Sequence, residues 1–198
     1  MFRLLSHLIA LAWVSLLAAG AIQSHRAPAW AESLAASKDN AGPAPAPALF
    51  ERIEQGLYKR NAPVVITEAE LNRYLNAHLR AMSTGPLAEN ISIDRFYVQC
   101  QREGFEVRLL WRATNNHPAT ASMRFQVTRK ENQFLIEPVG GSYGRMNVPR
   151  GIMAPILPAL QSLATSLKSE LDLAFQMNQL KFEPGKIVLD PRLETVAR

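Results

Sequence analysis

The spacing of apolar positions changes along the chain, and each change predicts a different element. Leu8 to Ile22 (LIALAWVSLLAAGAI) is an uncharged run of fifteen residues with no polar face. Leu49, Phe50, Ile53 and Leu57 then fall on one side of a short helix over 47–59. Thr67-Glu68-Ala69-Glu70 is the clearest local signal. A Thr at the N-cap accepts from the N–H three residues on, Glu70 reaches back to the cap's own N–H, and Ile66 with Leu71 closes a hydrophobic staple. The helix it opens carries Leu71, Tyr74, Leu75, His78, Leu79 and Met82 at steps of three and four, and ends before Gly85-Pro86.

From Ile91 to Val139 the period falls to two. Phe105, Val107, Leu109, Trp111 and Ala113 alternate with Glu106, Arg108 and Arg112, and Ala121, Met123, Phe125 and Val127 alternate with Ser122, Arg124, Gln126 and Thr128. Each run is a strand with one buried face. Arg102-Glu103-Gly104, Asn115-Asn116-His117-Pro118 and Glu131-Asn132 are turn chemistry, so the strands, with Ile91–Cys100 before and Gln133–Val139 after, form an antiparallel meander. Ile91 and Ile93 keep one phase while Phe96, Val98 and Cys100 keep the other, which a bulge near Asp94-Arg95 reconciles.

After a Gly-rich connector (Gly140, Gly141, Gly144), the stripe Ile156, Leu160, Leu163, Leu167, Leu171 and Ala174 predicts an amphipathic helix within 155–177. Its apolar side is roughly 30 Å long at about 1.5 Å per residue. Pro155 and Pro158 both suit a first turn, where N–H groups have no intrahelical partner. Leu180, Phe182, the turn Glu183-Pro184-Gly185-Lys186, and Ile187-Val188-Leu189 form a final hairpin or edge strand. The expected fold class is α+β, with an antiparallel meander of four or more strands packed on a long helix.

Composition narrows the class without naming an activity. With 198 residues, 47% of them hydrophobic and 20% charged, the chain is one domain, or one domain with a targeting segment. Wholesale disorder, a collagenous repeat and a polytopic membrane protein are excluded. Arg3 before the apolar run, Gln23-Ser24-His25-Arg26 after it, and small residues at Ala19-Gly20-Ala21 and Ala29-Trp30-Ala31 have the layout of an export signal. A run of fifteen is short of the roughly 20 residues that cross a ~30 Å hydrocarbon core. The expectation is therefore a cleaved signal over 1–31, with an uncleaved anchor as the alternative, and a periplasmic or envelope-associated product. A cut after Ala31 takes Arg3 and Arg26 with it, two of the five net positive charges. Residues 32–48 alternate Pro with Ala near their end and read as a tether, leaving a single domain over 49–193.

Candidate chemistry is sparse. One Cys and four scattered His give no disulfide and no zinc spacing, so neither a metal nor another cofactor is expected. Cys100 with His117 would be a nucleophile and base, but a Cys in an alternating strand is ordinarily a small hydrophobe, and His78 on an apolar helix face is a core residue. Gly140 to Arg145 lacks the strand-to-helix setting and Lys-Ser/Thr ending of a phosphate loop. With no Ser-His-Asp order and no paired carboxylates in one element, an enzyme is not expected. Arg108, Arg112, Arg124, Arg129 and Lys130 on the polar side of the meander offer contacts to a membrane surface or a polyanion. Against this, the interleaved Glu103, Glu106 and Glu131 favour a solvated face. Nucleic acid is not an expected partner.

Taken in order, the Thr67 to Asn72 helix start with Tyr74-Leu75, the meander, the apolar helix and the ending Glu183-Pro184-Gly185-Lys186-Ile187-Val188-Leu189 resemble a known group. The chain is similar, over most of 64–191, to the small exported bacterial proteins of the YceB-like lipoprotein family. It is similar more loosely to the YpmS-like and LmeA-like proteins of the tubular lipid-binding group. It departs from the lipoprotein pattern in having no Cys after the apolar run. The resemblance implies a strongly curved sheet wrapped on the long helix, enclosing a groove for the acyl chain of a lipid. Leu71, Leu75, Leu79, Trp111, Phe125, Leu160, Leu163, Leu167 and Leu171 would line that groove. The competing expectation is an interaction or scaffold module whose core is closed.

Overall fold

The computed structural model describes residues 2–36, 47–82, 91–113, 118–130, 133–151, 153, 160 and 164–192. Helices α1 (Phe2–His25), α2 (Ala29–Ala36) and α3 (Pro47–Lys59) precede strand β1 (Val64–Thr67) and helix α4 (Glu68–Met82). Strands β2 (Ile91–Gln101), β3 (Gly104–Ala113), β4 (Pro118–Lys130), β5 (Gln133–Tyr143) and β6 (Met146–Pro149) follow, then α5 (Lys168–Phe175), β7 (Gln179–Glu183) and β8 (Lys186–Asp190). The class is α+β. The strands form two antiparallel sheets, β2-β3-β4-β5-β6 and β1-β8-β7.

The larger sheet is the expected meander with one strand more. Phe105, Val107 and Leu109 pair with Phe125, Met123 and Ala121, so all six share the inner face, while Glu106 and Arg108 pair with Arg124 and Ser122 on the outer face. The register of β2 on β3 shifts between Ile93 and Arg95, at the expected bulge. The Gly-rich connector is not a loop. Gly140 and Gly141 belong to β5, and Gly144-Arg145 is the two-residue turn into β6, since Tyr143 pairs with Met146. Glycine at 141 is needed for close approach: a Cβ there would lie 2.0 Å from the carbonyl oxygen of Ser122.

Helix α4 begins where the capping box places it. Glu70 N–H donates to Thr67 Oγ1 at 3.3 Å, and Thr67 N–H donates to Glu70 Oε2 at 2.9 Å. The rest of the helix closes the open edge of β2. Asn72 Nδ2 donates to Val98 O (2.8 Å) and its Oδ1 accepts from Val98 N–H (2.6 Å). Asn76 repeats the pair on Phe96 O and N–H, at 2.8 and 3.2 Å, and Glu68 Oε2 accepts from Cys100 N–H at 2.8 Å. Four helical residues rise about 6.0 Å and two strand residues about 6.7 Å, so a side chain every fourth position meets every outward-facing peptide of the strand. An edge that would otherwise pair with another chain is thereby satisfied internally.

The smaller sheet is partly the final hairpin expected from Pro184-Gly185. Gly185 has φ +80 directly after Pro, the type II arrangement. Strand β1 was not expected. It is four residues long, half-buried in alternation, and pairs Val64 to Thr67 with Leu189 to Lys186. Ile53 of α3, Val64, Ile66, Met177 and Leu189 form its core.

Two further expectations differ from the structure. Residues 155–177 are not one continuous helix among the described residues: 164–166 are helical, Leu167 breaks the geometry at φ −99 and ψ 20, and α5 resumes at Lys168. Thr165 and Ser166 precede the break, and hydroxyl side chains compete for backbone groups in helices. Residues 32–36 of the expected tether lie in α2, and 47–48 lie in α3. Much of α1 stands clear of the sheets: Ile9, Leu11, Trp13, Val14, Leu16, Leu17 and Ile22 are all more than half exposed. No helix among the described residues is long and apolar enough to cross a membrane.

Candidate functional site

The inner face of the larger sheet presents an apolar wall. Phe96 and Val98 of β2 and Val107 and Leu109 of β3 are buried, and α4 lays Leu75 against them. Leu71, Tyr74, Phe105, Trp111, Phe125 and Leu160 pack around this centre and remain half-buried. The Phe105 and Phe125 rings stack at 5.1 Å, and Phe182 of β7 lies 5.4 Å from Phe105. Tyr74 ties α4 to α5 by donating to a Glu170 carboxylate oxygen. Burial, followed by that carboxylate, raises the Tyr74 phenol well above its ordinary range.

Six of the nine expected lining residues meet here. Leu71, Leu75, Trp111, Phe125, Leu160 and Leu167 join one cluster, although Leu75 and Leu167, at 6% and 9% exposure, are closed off by their neighbours. Leu171 is half-buried on α5 outside this cluster, Leu79 lies on α4 with only its backbone described, and Leu163 falls outside the described residues. The expectation missed Glu68, Asn72 and Asn76, which set the angle of α4 on the sheet. Their step of four beside the apolar stripe is visible in the sequence, but the edge they serve is not.

Cys100 faces the same core at 3% exposure, and burial, with Glu68 adding repulsion, pushes its thiol up to about 12. A thiol so placed is neutral at physiological pH, and His117, the other half of the Cys100–His117 pairing, lies outside the described residues. Tyr97 is raised similarly to about 12, first by burial and then by its hydrogen bond to Glu68. No group of three His, Cys, Asp or Glu among the described residues is placed to hold a metal ion.

The outer face is charged and largely self-paired. Arg108 binds Glu106 at 2.8 Å and Arg112 binds Asp94 at 2.6 Å. Arg129 does not belong to this face. It continues the Phe125–Val127 phase, donates to the Asn178 carbonyl and lies over the Phe134 ring at 5.7 Å. The segment after α1 crosses the outer face: Trp30 stacks over Arg108 at 5.2 Å, and Arg95 Nη1 donates to Leu34 O at 2.8 Å.

No protein-family model matches the chain, and no curated protein sequence matches it.

Proposed function

We propose that this chain is an exported envelope protein that shelters one apolar chain of a lipid against the inner face of its larger sheet. A curved meander closed by a long amphipathic helix is the finer arrangement this reading requires. The observation that carries it is the half-buried rim of the apolar cluster. Leu71, Trp111, Phe125 and Leu160, from four separate stretches of chain, converge on one wall without being closed over by the described residues. Ligand sites of this kind are concave and lined mostly by apolar and aromatic side chains. The exposed apolar surface of α1 supports the location, because an uncharged apolar run between Arg3 and Arg26 has the layout of an export signal. The chemistry of Cys100 supports a binding role over a catalytic one.

A closed scaffold is the second reading, and the burial of Leu75 and Leu167 favours it. Native mass spectrometry of the protein purified from envelope membranes separates the two. The lipid reading expects a co-purified acyl species, saturable binding of a fluorescent fatty acid, and loss of that binding in Leu160→Trp with the fold retained. A parent protein that carries no lipid and binds no fatty acid leaves the scaffold reading in its place.

A further inference from the structure

The outer face of the larger sheet holds a concavity of 610 Å³ between the start of α2 and strands β3 to β6. Its floor is built from neighbouring cross-strand rows. Arg124 stands between Glu106 and Gly140, and Ser122 stands between Arg108 and Ser142, with Asn147 beyond. Glycine at 140 leaves room beside Arg124, whose Nη2 lies 4.0 Å from where a Cβ would be. The roof is Pro28-Ala29-Trp30, held down by the Arg108–Trp30 stack and by Arg145 Nε donating to Ala27 O at 2.8 Å.

The lining carries two guanidinium groups, Arg124 and Arg145, to one carboxylate. Glu106 is the acid in the lining, and Arg108 already neutralises it at 2.8 Å. Arg124 has no ion pair among the described residues, and Arg145 commits its Nε to Ala27 while its terminal nitrogens have no partner among them. Ser122 and Ser142, at 3% and 8% exposure, share a single hydrogen bond of 2.9 Å. That bond uses one of the two hydroxyl protons and leaves the other to donate. The start of α2 borders the space, where Ala31 N–H already donates to Pro28 O at 2.9 Å and Glu32 stands in the first turn. Two guanidinium groups and a hydroxyl bordering one space match a tetrahedral oxyanion, which accepts from every direction.

We propose that this cavity binds a phosphate group, either free or as the phosphodiester headgroup of an anionic lipid. Its volume leaves space for a glycerol-sized substituent beside the phosphate. Because Trp30 forms part of the roof, the site belongs to a chain that keeps residues 28–30, and processing after Ala31 abolishes it. It lies on the face opposite the apolar wall, so its failure and the failure of the acyl-chain reading are separate results.

The test is calorimetric titration of the full chain, in a non-ionic detergent, with inorganic phosphate and with glycerophosphoglycerol. At least one is expected to bind with a submillimolar Kd, and the tighter of the two identifies the source. Arg124→Gln is expected to weaken binding tenfold or more with an unchanged Tm, since Arg124 is exposed. Arg112→Gln, on the same face but paired with Asp94 away from the cavity, is expected to leave binding unchanged. Absence of binding by both probes, or equal affinity in Arg124→Gln, overturns the proposal.

Discussion

Replacing Asn72 with Ala removes the middle rung of the ladder that closes the β2 edge. Asn72 is 6% exposed, and its side chain satisfies both the N–H and the C=O of Val98, itself buried at 6%. Those peptide groups point away from β3, so no strand partner replaces the amide. A buried polar group left without a partner costs about 1–3 kcal/mol, and two of them bring the expected loss to about 2–6 kcal/mol. Domains of this size are stable by about 5–15 kcal/mol, so the variant should unfold at clearly lower urea and expose the Val98 amide to hydrogen exchange. Asn72→Asp adds a check on sign. A carboxylate there still accepts from Val98 N–H but faces the carbonyl oxygens of Val98 and Glu68, to which Asn72 now donates. That environment disfavours the charge, so the folded pKa should rise above the ordinary Asp value of about 3.9. A raised folded pKa gives stability below the unfolded value and loses it as pH rises through the folded one. The deficit of Asn72→Asp should therefore be largest at neutral pH and shrink on acidification. A cost for Asn72→Ala below about 1 kcal/mol, with Val98 exchange unchanged, would refute the edge-closing role.

Other perturbations follow from single contacts. Thr67→Ala should cost about 0.5–2 kcal/mol in denaturant titrations while Thr67→Ser is nearly neutral; equal behaviour of the two denies the cap. Glu70, held down to about 2 chiefly by Arg52 and then Thr67, contributes stability above its ordinary value of 4.5 and loses it as pH falls toward 2. Glu70→Gln should accordingly flatten the acid limb of the stability profile, and an unaltered limb contradicts the pairing. Cys100 should resist thiol reagents at pH 8 in the folded protein and react fully in urea, whereas rapid native labelling would place it outside the core. Gly144→Ala sets a Cβ 2.2 Å from Ser24 O at a φ of +55, so it should undock residues 23–36 and speed their proteolysis; an unchanged cleavage rate speaks against the docked segment.

Much of this architecture is legible in the sequence, for local reasons. Thr67 and Glu70 are three residues apart and cap a helix wherever they occur, and Pro184-Gly185 forms its turn from φ preferences alone. Alternation along 105–113 and 121–127 sorts inner from outer face because strand side chains have a period of two. The bulge at Asp94 was required by a phase change in the same strand. Much of the candidate wall followed from those periods, since a residue on a buried face meets whatever else is buried. What the sequence left open depends on partners far along the chain. Val64 to Thr67 is too short to announce itself and becomes β1 only because β8 supplies its hydrogen bonds from more than a hundred residues away. Gly140 and Gly141 carry loop composition, yet β4 and β6 on either side make them strand. Asn72 and Asn76 look like ordinary polar helix positions until the edge of β2 arrives beside them at a matching spacing. Local pattern thus determined element type and facing for α4 and the alternating stretches of β3 and β4, because both are set there by neighbours within a few residues. Tertiary structure decided which edges are closed, which face is covered and which glycines are strand, because those depend on long-range pairing that no periodicity encodes.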